Sequence, residues 1–170
     1  MRYYKLIIIF GLLFFQLGKA QEKADVIVNK AMKEAQANKK NVLLIFHASW
    51  CQWCRLMEKN MERPETKPVF DQRFVTAYVD VQEVGEKKRL ENPGGEELMK
   101  RYKGEKAGLP FWLILTPKGE VITDSFNAKG ENLGSPATKE EVDVFIAKLD
   151  QASPLSAQDK TNIENIFVKK

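Results

Sequence analysis

Both cysteines of this chain stand together in Trp50-Cys51-Gln52-Trp53-Cys54-Arg55, just behind the apolar run Val42-Leu43-Leu44-Ile45-Phe46. A short continuous apolar run of that kind reads as a buried strand. With a helix beginning near Cys51, the three-residue spacing puts both sulfurs on one face of its first turn, close enough to bond. Cys51 then meets unpaired amides and the positive end of the helix dipole, which stabilise a thiolate and lower its pKa below the free value of roughly 8.5. The pattern points to thiol-disulfide chemistry and demands a fold in which a strand leads directly into a helix.

Other uses of a C-x-x-C pair fit less well. A structural disulfide closing so short a loop constrains the unfolded chain little. A closed zinc site takes four ligands, and the chain offers two thiols and the single histidine His47, so no metal site is expected. Iron-sulfur coordination fails for the same reason. Copper(I) held by the thiolate pair stays open, because soft ligands suit it.

The beginning of the chain bears on the compartment. Met1-Arg2-Tyr3-Tyr4-Lys5 is basic, Leu6 to Leu17 is almost wholly apolar, and Gly18-Lys19-Ala20 supplies small residues before Gln21. Residues 1–20 are read as a secretory signal peptide cleaved near Ala20. The apolar run is shorter than the roughly 20 residues of a membrane span. The expected location is therefore secreted or periplasmic, where a disulfide persists. The sequence carries 27 basic and 23 acidic residues. Removing Arg2, Lys5 and Lys19 leaves 24 against 23, a balance of +1. Charges of both signs are interspersed, with no basic stripe of aromatic spacing, so nucleic acid is not an expected partner.

The remainder, 21–170, is the size of one domain. Ala24, Ile27, Val28, Ala31, Met32 and Ala35 recur at helical spacing, and Asn38-Lys39-Lys40-Asn41 breaks the pattern. After the cysteines, Arg55 to Met61 reads as helix, stopped by Pro64 and Pro68. Phe74 to Val81 is the next strand, and 82–95 a polar surface connection before a short helix around Glu96 to Tyr102. Phe111 to Leu115 is a buried strand, Thr116-Pro117-Lys118-Gly119 a type I turn, and Glu120 to Phe126 its hairpin partner. Thr138-Lys139-Glu140-Glu141 is a capping box for a helix with Val142, Phe145, Ile146 and Leu149 on one face. A last amphipathic helix, in an extension over 155–170, uses Ile163, Ile166 and Phe167. This order is an α/β plan, a central mixed β-sheet flanked by helices.

Together with Ala48-Ser49-Trp50-Cys51-Gln52-Trp53-Cys54 and the later Gly108-Leu109-Pro110-Phe111, the element order resembles the thioredoxin superfamily over about 40–150, with extra N- and C-terminal helices outside that core. The longer stretch Phe46 to Glu58 looks most like secreted bacterial thioredoxin-like proteins related to the periplasmic domains of membrane thiol-disulfide relays. The resemblance implies that Cys51 is a solvent-facing nucleophile and that Cys54, less exposed, is the resolving thiol. It implies a cis bond at Leu109-Pro110, with the backbone before Pro110 pairing with bound peptide. It also makes Trp50 and Trp53 apolar walls of the site, although packing alone accounts for Trp50 equally well.

Three positions depart from the family pattern. Ile45 stands where thioredoxins carry a buried acid, His47 where they carry tryptophan, and Gln52-Trp53 where they carry glycine-proline. His47 is open to two readings, a partly buried imidazole with a backbone hydrogen bond or a group that tunes the Cys51 thiolate. Glu58, one turn beyond Cys54, is either a solvated surface residue or the acceptor of the Cys54 proton. The expected function is an extracytoplasmic thiol-disulfide oxidoreductase, a reductase by resemblance, with protein thiols and disulfides as substrates and a membrane relay as redox partner. No cofactor beyond the Cys51-Cys54 disulfide is expected. A thioredoxin-fold peptide-binding module or chaperone and a thiol-based copper carrier are the alternatives.

Overall fold

A computed structural model describes residues 21–169 of the chain. The expected signal segment 1–20 lies outside the described residues. Helix α1 (Ala24–Asn38) leads through Lys39, in the left-handed region at φ 55°, into strand β1 (Asn41–His47). Then follow α2 (Gln52–Met61), α3 (Lys67–Arg73), β2 (Phe74–Asp80), a 3-10 turn at Gly85–Leu90 and α4 (Gly95–Arg101). The hairpin β3 (Phe111–Leu115) and β4 (Val121–Asp124) precedes α5 (Lys139–Ala152) and α6 (Ala157–Phe167).

The four strands form one sheet in the order β2-β1-β3-β4. β1 runs parallel to β2, and β3 runs antiparallel to both β1 and β4. The two central strands are apolar at consecutive positions because helices cover both faces of the sheet. Alternation along β1 sends Leu43 and Ile45 to a core shared with α2, α3, α5 and α6, and Val42, Leu44 and Phe46 to a core shared with α1 and α4. β3 divides in the same way, with Trp112 and Ile114 on the first side and Phe111, Leu113 and Leu115 on the second.

Two elements differ from the sequence expectation. Pro68 does not end helix but sits in the first turn of α3, where a proline forfeits no intrahelical bond. The hairpin partner is also shorter than 120–126, because pairing breaks after Asp124 and only an isolated bridge joins Phe126 to Asn132. The capping box forms as expected at Thr138 and Glu141, and a second one closes α6 at Ser156 and Asp159. Ile163 and Phe167 of α6 are wholly buried against Phe70 and Phe145, so the last helix completes one of the two cores. Arg73 donates to Asp159 at 2.7 Å and ties α3 to α6.

Candidate active site

β1 ends at His47, and the turn Ala48–Trp50 delivers the chain to Cys51, the N-cap of α2. Cys51 Sγ accepts from the Cys54 backbone N–H at 3.1 Å, so the sulfur itself satisfies one of the helix's free amides. The two cysteines are bonded, with Cα atoms 5.3 Å apart. Their exposures are 3% for Cys51 and 1% for Cys54. The expectation of a solvent-facing Cys51 is thus corrected for the oxidised state, because the cysteine pair packs in a small apolar cluster with Ala48 and Leu109.

Leu109-Pro110 is a cis peptide, as the resemblance implied. The segment before it is held by Asn132, whose Nδ2 donates to Ala107 O and to Pro110 O, each at 3.0 Å. Trp53, Leu109, Asn132, Ser135 and Ala137 line a cavity of about 280 Å³, which shares Leu109 with the cluster around the cysteine pair. Trp50 and Trp53 are 48% and 47% exposed, large apolar surfaces on either side of Cys51. Each is fixed: Trp50 Nε1 donates to Gln82 O at 2.8 Å, and the Lys169 ammonium lies 4.0 Å from the centroid of the Trp53 ring.

His47 and Glu58, considered separately in the sequence, are bonded to each other. His47 Nδ1 lies 2.9 Å from Glu58 Oε1 and Nε2 lies 3.1 Å from Asp80 Oδ1, so the imidazole is held by two carboxylates and not by a backbone carbonyl. Burial alone lowers the His47 pKa, but hydrogen bonds to Asp80 and Glu58 and their negative charges outweigh it and raise the value to about 9. His47 is therefore an imidazolium at neutral pH, donating from both nitrogens. Glu58 is engaged with that cation and is only part exposed. Ile45, at the position of the family's buried acid, is fully enclosed in the core beneath α2.

Asp80 was not singled out in the sequence, although a signal for it exists. Aligning the apolar stretches of β1 and β2 as parallel neighbours sets His47 opposite Asp80, and those two residues are register partners. Asn132 gives no such signal, since it lies in a loop 22 residues beyond the carbonyl it holds.

A family model described as thioredoxin-like matches residues 24–117. The thiol:disulfide interchange protein DsbD of Pseudomonas fluorescens is 34% identical over 98 residues, which cover 57% of this chain and 15% of that protein. The chain thus matches only a small part of the length of this curated relative. Among solved structures, a disulphide isomerase from Xylella fastidiosa Temecula1 is similar with a TM-score of 0.52 at 21% identity, covering 93% of this chain and 95% of that one. The C-terminal domain of DsbD from Neisseria meningitidis, in its oxidised form, has a TM-score of 0.49 at 24% identity, covering 78% and 99%. At 21% identity the likeness to the Xylella protein speaks for the fold alone.

Proposed function

Since the chain belongs to the thioredoxin-like family and carries a C-x-x-C disulfide, we propose that it is an extracytoplasmic thiol-disulfide oxidoreductase working as a reductase of protein disulfides. The observation that carries this reading is the Cys51-Cys54 bond at the N-terminus of α2, packed against Leu109 of the cis Leu109-Pro110 step. In the reduced protein, the Cys51 thiolate attacks one sulfur of a substrate disulfide. A mixed disulfide forms and the other substrate sulfur leaves as a thiolate. Cys54 then gives up its proton and attacks Cys51 Sγ, which releases the second substrate thiol and closes the Cys51-Cys54 bond. Two electrons pass to the substrate, and an external dithiol must return them.

The Cys54 backbone N–H and the α2 dipole supply the positive potential that a Cys51 thiolate requires. Trp50, Trp53 and Leu109 present apolar surface to the peptide around the substrate cystine, and the backbone at Leu109-Pro110 offers it hydrogen bonds. His47 and Glu58 act on the pair at one remove, through α2. No cofactor beyond the cysteine pair takes part in this scheme. Similarity to part of a thiol:disulfide interchange protein supports exchange with protein thiols and a thiol-disulfide relay as partner, and the reductase direction is the one the family resemblance favours. The apolar segment at the start of the chain supports the extracytoplasmic location.

The test is trapping. Cys54→Ser keeps the nucleophile but cannot resolve, so it accumulates mixed disulfides with partners outside the cytoplasm, and Cys51→Ser abolishes insulin-type disulfide turnover. A wild type without turnover, together with a Cys54→Ser variant that captures nothing, overturns the oxidoreductase. Peptide binding that survives Cys51→Ser in such a protein identifies a binding module instead.

A further inference from the structure

The connection after β2 grips the chain just ahead of Cys51. Glu83 is 2% exposed, an unusual place for a carboxylate. Its Oε1 accepts from the Ser49 backbone N–H at 2.6 Å, and its Oε2 lies 2.9 Å from Ser49 Oγ, which donates to it. The third polar atom of Ser49, its carbonyl oxygen, accepts from Arg55 Nη1 at 2.6 Å. The preceding residue, Gln82, holds a left-handed backbone at φ 54° and offers its carbonyl to the Trp50 indole. Glu83 is itself anchored, because its N–H donates to Glu91 Oε1 at 2.8 Å. Ser49 and Trp50, the two residues before the nucleophile, are thus fixed at every polar atom they direct toward this connection.

The geometry points to Glu83 as a positioning residue that sets the reduction potential of the Cys51-Cys54 pair; this rests on the oxidoreductase reading and deepens it. Ser49 and Cys51 are two peptide links apart, at most about 7 Å between Cα atoms. A carboxylate enclosed against Ser49, two positions ahead of the nucleophile, acts through a medium much less polar than water. It opposes negative charge on Cys51, and only the reduced form bears that charge. Raising the Cys51 pKa disfavours the dithiol-thiolate state relative to the disulfide and makes the pair more reducing. The other charged groups at the clamp are Arg55 and Lys87, whose ammonium lies 3.2 Å from Ser49 Oγ, and Glu91, which faces Lys88 at 3.8 Å. Arg55 and Lys87 stand on the exposed side of the clamp, where solvent weakens but does not cancel their charge, whereas Glu83 is enclosed. Glu83 therefore decides the sign.

The experiment is redox equilibration of the full chain with glutathione, joined to the pH profile of Cys51 alkylation. Glu83→Gln retains an acceptor for the Ser49 N–H and removes the charge. Its equilibrium constant is expected to shift about tenfold toward the dithiol, which is about 30 mV more oxidising, with the alkylation profile displaced to lower pH. If the substitution served packing alone, thermal stability would change while potential and profile stayed at the wild-type values, and that result overturns the proposal. Lys87→Gln is the second variant, at an exposed site that should not disturb folding. It removes a compensating cation and moves the potential the opposite way by a smaller factor, so an unmoved potential there overturns the proposal if Glu83→Gln does not fold. A wild type that exchanges no disulfide with glutathione sinks the oxidoreductase reading itself. A wild type that equilibrates normally beside an indifferent Glu83→Gln sinks only the role of Glu83.

Discussion

At His47 two carboxylates meet one imidazole, so the stability of this corner depends on pH in a definite direction. Its pKa is raised from 6.5 to about 9 in the fold. A raised value means that the folded state holds the proton more tightly than the unfolded chain does. The stabilisation is therefore complete below pH 6.5 and disappears as pH rises through about 9. Because Glu58 and Asp80 are each about a third open to water, screening trims the effect to about 1–3 kcal/mol. Urea denaturation of wild type against His47→Asn should show the wild type ahead by that amount near pH 6 and the gap closed near pH 10. A gap that does not vary with pH would mean that the imidazole contributes by packing against Tyr78, whose ring centroid is 5.1 Å away, and not by its charge.

Among the secondary-structure elements, α6 closes one of the two cores from outside the sheet. Phe167 lies 5.3 Å from Phe145 and 6.3 Å from Phe70 by ring centroids, and thereby joins α6 to α5 and α3. Phe167→Ala should cost about 3–5 kcal/mol, read as a lower urea midpoint, while leaving the cysteine pair able to form its bond. The amphipathic spacing of Ile163, Ile166 and Phe167 announced this helix, and the capping signature at Thr138 and Glu141 announced α5, because both signals are local. So was the C-x-x-C behind an apolar strand. The cis Leu109-Pro110 bond was available only through family likeness, since nothing in a Leu-Pro pair itself selects that isomer. α3 was hidden because Pro68 reads as a breaker until its place in the first turn is known. Asp80 and Glu83 are less legible for a different reason. Their partners His47 and Ser49 are 33 and 34 residues away in the chain, and only the pairing of β1 with β2 and the course of the connection after it bring them together.

Across the whole molecule, the sheet separates two apolar cores, and the reactive pair sits where β1 leaves both of them. The same architecture sorts the three tryptophans. Trp112 is sealed in the interior with its Nε1 donating to Gly134 O at 2.9 Å, while Trp50 and Trp53 stand half open on either side of Cys51. A disulfide near an excited indole can accept its electron and darken it, which a dithiol does far less readily. The protein should consequently report its own oxidation state in its fluorescence. Opening the Cys51-Cys54 bond should brighten emission from the two outer indoles at the red side of the spectrum, above a bluer background from Trp112 that does not change. Replacing Trp50 and Trp53 with phenylalanine should leave that background and remove the response, so the course of each turnover could be followed by light alone, with no label attached.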